Sequence, residues 1–276
     1  MSVTLPTIFS YQKASPFCSQ YAAVYNAMTN KPNETHAGYQ NTLVKGLVDG
    51  GYWTNRMDLF YVFANHSNTN NEAYLNWVNP TGSFNCTAPV AAPTWTQYVG
   101  VQGNASSQYL NTGYTPSSSA TNMTQDSATL GIYVLDDTSS TTMYPVGCSH
   151  DEPSLHRFAI NPEYGGNAPR YFINTGTQIA GTLTTASNGL HLASRTASDA
   201  VEAYFRGSSV GSNTAASVGR PAQALLICCT SSVGTPASFD SRRIALVMVC
   251  NGISSADASA INTIIEAYMT NLGIGV

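Results

Sequence analysis

The chain has 276 residues, a net charge of −4 and a charged share of 9%, against roughly a quarter in an ordinary soluble domain. That acidic balance, without a single Lys/Arg run, excludes the basic footprint of nucleic-acid recognition. No window approaches the roughly 18 apolar residues of a membrane span, and the 43% hydrophobic share suffices for one large core.

The start, Met1-Ser-Val-Thr-Leu-Pro6, has neither the basic nor the apolar region of a signal peptide, so synthesis in the cytoplasm is expected. Residues 1–80 read as a helical N-terminal segment for attachment or packing. Ser15-Pro16 is an N-cap with proline at the first helical position, and Phe17, Tyr21, Val24 and Met28 follow at helical spacing. A second helix is predicted from His36 to Asp49, with Leu43, Val44, Leu47 and Val48 on one face and Gly50-Gly51 as its stop. The apolar stretch from Trp53 to Ala64 is expected to dock on the rest of the molecule. Residues 81–96, rich in Pro, Ala and Thr, read as a linker or wrapping loop.

From about Gln97 the period changes from 3.6 to 2. Strands are predicted at Gln97–Val101, Gln108–Thr112, Ala128–Leu135, Tyr144–Cys148, Leu155–Ile160, Arg170–Ile173, Gly189–Ser194, Val201–Arg206, Ala224–Thr230 and Arg242–Cys250. Short strands separated by Gly, Ser, Asn and Pro turns indicate an all-β sandwich or barrel over residues 97–276. Ile244–Cys250 is apolar throughout, as a strand covered on both faces requires. Ser254 or Ser255 can cap a closing helix whose stripe is Ala258, Ile261, Ile264, Ile265, Tyr268, Met269 and Leu272. The six cysteines are expected to be free thiols, with Cys228, Cys229 and Cys250 buried in apolar strands.

Two stretches carry a resemblance. Gln108-Tyr-Leu-Asn-Thr-Gly-Tyr-Thr-Pro116 with Ser127-Ala-Thr-Leu-Gly-Ile-Tyr-Val134 resembles the early strands of concanavalin A-like and laminin-G-like jelly rolls. The late run from Ser194 to Gly207, then Gly219-Arg-Pro221 and Ser241-Arg-Arg-Ile-Ala-Leu-Val247, is similar to their later hairpin and central strands. The resemblance implies a mainly β fold: a jelly-roll β-sandwich with an N-terminal helical segment and a C-terminal helix. Thr42 to Ala64, Ala73-Tyr-Leu-Asn-Trp-Val-Asn-Pro80 and Ile264 to Gly273 further resemble the ends of jelly-roll proteins of Bacteroidales phages, crAss-like phages among them. That implies a virion surface component, a capsid decoration, head fibre or tail appendage, whose partners are other virion proteins and further copies of itself.

Catalysis is tested on spacing. Sandwich-fold glucanases place carboxylates on one strand face as Glu-x-Asp-x-x-Glu, and none of the six glutamates here has that neighbourhood. No Gly-x-Ser-x-Gly elbow and no phosphate-cradling glycine loop occurs, so no enzyme activity and no cofactor are expected. The polar cluster from Cys148 to Arg157 can be read as a metal site through His150, Asp151 and His156, or as a solvated hairpin loop; the loop is favoured, and no metal is expected. Asp136, Asp137 and Asp151 are the candidates for calcium, each read rather as a solvated loop acid. Sixteen tyrosines offer faces for stacking on sugar rings, or for cross-strand packing. A binding site for host or mucus glycans, the alternative to a purely structural role, is placed at Tyr144, His150, Asp151, His156 and Tyr164.

Overall fold

The computed structural model describes residues 16–150 and 155–276. It is mainly β, two sheets packed face to face, with helices at both ends of the chain. Helix α1 spans Ser19–Ala27 and α2 spans Glu34–Asp49. The Ser15 cap lies outside the described residues, and Cys18 occupies the N-cap position of α1 without a side-chain bond. Asn33 caps α2 by accepting the His36 backbone N–H at 2.9 Å. The buried side of α2 is Ala37, Gln40, Leu43, Val44 and Leu47; of the face expected from sequence, Leu43, Val44 and Leu47 are buried and Val48 is half-buried.

The N-terminal stretch is not helical throughout. Met57–Val62 is strand β1, buried at every position and paired antiparallel with β16 (Arg243–Cys250). Its run of Leu, Phe, Tyr and Val favours a doubly covered strand, and helical spacing has no say in a six-residue apolar stretch.

The central sheet runs in the order β12 (Ser208–Asn213), β11 (Ala200–Phe205), β10 (Gly189–Ala197), β5 (Ala128–Val134), β16, β3 (Gly100–Gln102) and β2 (Thr94–Thr96), with β1 also on β16. The outer sheet runs β15 (Thr235–Ala237), β14 (Thr230–Ser232), β6 (Val146–His150), β7 (His156–Asn161), β8 (Arg170–Thr175) and β9 (Ile179–Ala180). Strand β13 (Leu226–Ile227) joins β6 to β4 (Leu110–Asn111). A single turn of helix, α3 (Pro116–Ser119), follows β4.

The strand expected over Ala224–Thr230 is broken at Cys228, whose φ of 67° turns the chain back on itself. β13 therefore runs antiparallel to β6 and β14 parallel to it. Residues other than glycine adopt that conformation at a cost of about 1–2 kcal/mol, here offset by backbone bonds from Cys228 to Pro145 and from Asp240 to Cys228. All six cysteines are free thiols; five are buried and Cys18 is half-buried.

The central sheet is the shared wall of two cores. Its inner face (Leu130, Ile132, Val134, Ala203, Val247 and Val249 among others) meets Phe158, Ile160, Tyr171 and Ile173 of the outer sheet. Its other face, with Tyr133, Leu190, Leu192, Leu246 and Met248, is covered by α1, α2 and the closing helix α4 (Ser255–Asn271). Ser254 caps α4 in a reciprocal box with Asp257. Helices thus cover most of one side of the sandwich, and the outer sheet presents the other.

Candidate functional site

Alternation decides what the outer sheet presents. Phe158, Ile160, Tyr171 and Ile173 point into the core, so Arg157 and Ala159 of β7, and Arg170 and Phe172 of β8, lie on the opposite face. Ala159 pairs with Phe172 and Asn161 with Arg170, which sets two arginines diagonally about Phe172. The Arg157 guanidinium sits 5.1 Å from the centre of the Phe172 ring, and that of Arg170 sits 3.1 Å from the Tyr164 ring. Tyr144 packs against Phe172 with ring centres 6.4 Å apart. The face therefore reads cation, ring, cation, ring, with Phe172 buried as its floor and Tyr144, Tyr164 and both arginines half-buried above it.

Beside this row is a cavity of about 150 Å³ lined by Tyr144, Ser149, Arg157, Ala159, Thr230 and Ser232, among other small residues. Among the described residues that line it, none is acidic. Burial pushes the Tyr144 hydroxyl above its ordinary range, while Arg157 and Arg170 pull it the other way.

The loops that carry the two tyrosines are fastened to each other from below. Asn161 donates its amide to the Ser140 carbonyl at 2.8 Å, and the Ser140 N–H donates to the Glu163 carbonyl at 3.0 Å. Arg242, fully buried against Asp240, donates to the carbonyls of Thr138 at 3.1 Å and Glu163 at 3.3 Å. Burial raises the Asp240 carboxyl, and the Arg242 charge opposes that shift. The Tyr144 N–H is held by the Ser238 carbonyl and the Tyr164 N–H by the Ala168 carbonyl, each at 3.0 Å. A shared buried guanidinium thus ties together the two segments, at Thr138 and Glu163, that lead to the tyrosines.

Of the residues singled out from sequence, Tyr144 and Tyr164 come together on this face. His150 and His156 are cross-strand partners where β6 ends and β7 begins. The His156 ring is buried against the loop at Gly219, where an added Cβ would lie 2.8 Å from the ring, so it is not brought to the row. Asp151 lies outside the described residues. Asp136 pairs with Arg243 at 2.6 Å, and Asp137 accepts the N–H and hydroxyl of Ser187, so both already have protein donors. Among the described residues no group of three or more His, Cys, Asp or Glu is placed to hold a metal ion. Arg157, Arg170 and Phe172 were missed; their signal in the sequence is Arg170-Tyr-Phe172, a cation and a ring two apart on one strand face.

A second, larger cleft of about 570 Å³ opens where α4 begins and leaves the β10–β12 end of the central sheet uncovered. Asp199, Glu202, Tyr204, Asn213 and Ser254 line it. The Tyr204 hydroxyl donates to Glu202 at 2.9 Å, and burial followed by that carboxylate raises its pKa.

No family model and no curated protein matches the sequence. Solved structures do match in fold. A mutant of the Trypanosoma rangeli sialidase displaying trans-sialidase activity aligns with a TM-score of 0.54 and 11% identity over 84% of this chain and 39% of its own. The Trypanosoma rangeli sialidase in complex with a difluorinated nononic acid aligns with a TM-score of 0.52 and 14% identity, over 87% of this chain and 40% of its own. Domain 4 of the Geobacillus stearothermophilus arabinanase AbnA, in complex with arabinotriose, aligns at 0.41, too loose a match to bear on function. This chain spans less than half the length of the sialidases.

These neighbours correct the expectation that the chain is no enzyme: its β-sandwich is related to a fold found in glycosidase chains. The spacing test behind that expectation sought a pair of carboxylates. Sialidases, which use a tyrosine nucleophile, escape such a test.

Proposed function

We propose that the chain is a glycan-recognition module, displayed on a phage virion and made in the host bacterial cytoplasm. The observation that carries the recognition reading is the row of two tyrosines and two arginines on the outward face of the outer sheet, with the segments that lead to the tyrosines tied together by Arg242. Rigid rings beside hydroxyl-lined space are what sugar recognition employs: apolar faces stack, and nearby polar groups fix the hydroxyls. The sialidase neighbours support the fold in which such a face is built. The virion location rests on the resemblance of residues 42–64, 73–80 and 264–273 to phage jelly-roll proteins.

Binding to a glycan array tests the recognition reading. Tyr144→Ala and Tyr164→Ala should each weaken binding about tenfold, the loss of one good stacking contact, while the unfolding midpoint changes little. An array on which the intact protein binds nothing would overturn it. Cryo-electron microscopy of the particle tests the location.

A second reading, glycan cleavage, is favoured by the Tyr204–Glu202 pair in the larger cleft. Glu202 would take the phenol proton as Tyr204 attacks an anomeric carbon and the glycosidic C–O bond breaks, return that proton to the departing oxygen, and leave water to release the sugar from the tyrosine. Release of reducing ends from an oligosaccharide, abolished in Tyr204→Phe and in Glu202→Gln, would establish it.

A further inference from the structure

We infer that the ligand of the outer-sheet face carries a carboxylate, an acidic sugar rather than a neutral one. The inference rests on the recognition reading above and narrows it. The chain is net acidic and has only 11 lysines and arginines, yet two of the arginines stand on this one face, diagonally about a buried ring. The ion pairs among the described residues involve Lys45, Arg56, Arg242 and Arg243; neither Arg157 nor Arg170 takes part in one. Their neighbours are rings: Phe172 under Arg157, and Tyr164 under Arg170.

A ring engages the flat face of a guanidinium and leaves the N–H donors at its edge for an acceptor. Stacking also removes much of the side-chain freedom that binding would otherwise restrict. A guanidinium so held matches the two oxygens of a carboxylate with two parallel hydrogen bonds, an arrangement a neutral hydroxyl cannot return. Among the described residues no carboxylate lines the adjacent cavity to compete, and Ser149, Thr230 and Ser232 supply hydroxyl groups suited to the remainder of a sugar ring. Neutral sugars would leave two charges partly desolvated without an anion, so the face discriminates by charge as well as by shape.

Calorimetric titration with sialyl-lactose and with an oligogalacturonate, each beside its own carboxyl methyl ester, tests the inference. The free acids should bind about tenfold to a hundredfold more tightly than the esters, and the difference should shrink with added salt. Arg157→Gln and Arg170→Gln should remove the preference, so that acid and ester bind with equal affinity. Arg170→Lys should recover part of the charge effect but not the bidentate share. The ester comparison uses the intact protein, so it stands even if a variant fails to fold. Equal binding of acids and esters would overturn the acidic-sugar inference while leaving glycan recognition intact. Binding confined to sulfated glycans would assign the arginines to a sulfate and overturn it as well. No binding of any glycan would remove both.

Discussion

His191 lies between the sheets, fully buried, at the centre of a chain of polar contacts. Its Nε2 is 2.6 Å from the Ser187 carbonyl, which can only accept, so Nε2 carries the proton. Nδ1 then accepts from the Tyr171 hydroxyl at 2.9 Å. Both nitrogens are satisfied by a neutral ring, and burial lowers the pKa to about 4. The unfolded chain, with a pKa near 6.5, takes up a proton that the fold refuses. Stability is therefore highest above pH 6.5 and declines as the pH falls from there to about 4. The full contribution is about 3 kcal/mol. Urea denaturation across that range should show the decline in the wild type, and His191→Gln should lack that share of it. A variant with an unchanged pH slope would show that carboxylates alone set the acid limit.

At the scale of elements, what was legible follows from which physical signal each element carries. Helices α2 and α4 show an apolar stripe and a capping residue, and both form where the spacing places them. Strand β5 is buried throughout, and β16 is apolar and buried from Ile244 to Cys250, because they face both cores. Strand β12 was not legible: Ser-Ser-Val-Gly-Ser-Asn lies at an edge, pairs with β11, and has no fully buried face to set alternation. The break at Cys228 was hidden for the opposite reason, since burial of every neighbour keeps the pattern apolar through the turn. In the site, Tyr144 and Tyr164 were singled out from sequence, but Phe172 and the arginines were not. Their relevance comes from the β7–β8 register, which no local pattern states. The α4 stripe makes a direct prediction. Ile265 is fully buried in the core shared with α2 and the central sheet. Ile265→Ala should destabilise by about 2–5 kcal/mol in chemical denaturation, and an unchanged midpoint would mean that α4 is not held against the sheet in solution.

At the scale of the whole molecule, the decisive feature is that neither core owns its walls. On β16, Val247 and Val249 face the outer sheet while Leu246 and Met248 face the helices. On β1, Leu59 and Tyr61 serve the first core and Phe60 and Val62 the second. Loss of the helical layer would expose Leu190, Leu192, Leu246 and Met248 together, and the same strands would then lose the constraint that sets their packing on the inner side. The ends of the chain are joined through this wall as well, because Tyr268 of α4 donates to the Ala64 carbonyl at 2.8 Å. Long-range contacts of this kind couple local openings into a global one. The protein should accordingly unfold in a single cooperative step, with calorimetric and van't Hoff enthalpies equal and with near-ultraviolet and far-ultraviolet dichroism coincident. Two separated transitions, an early one for the helices and a later one for the sheets, would show instead that the sandwich stands without its helical cover.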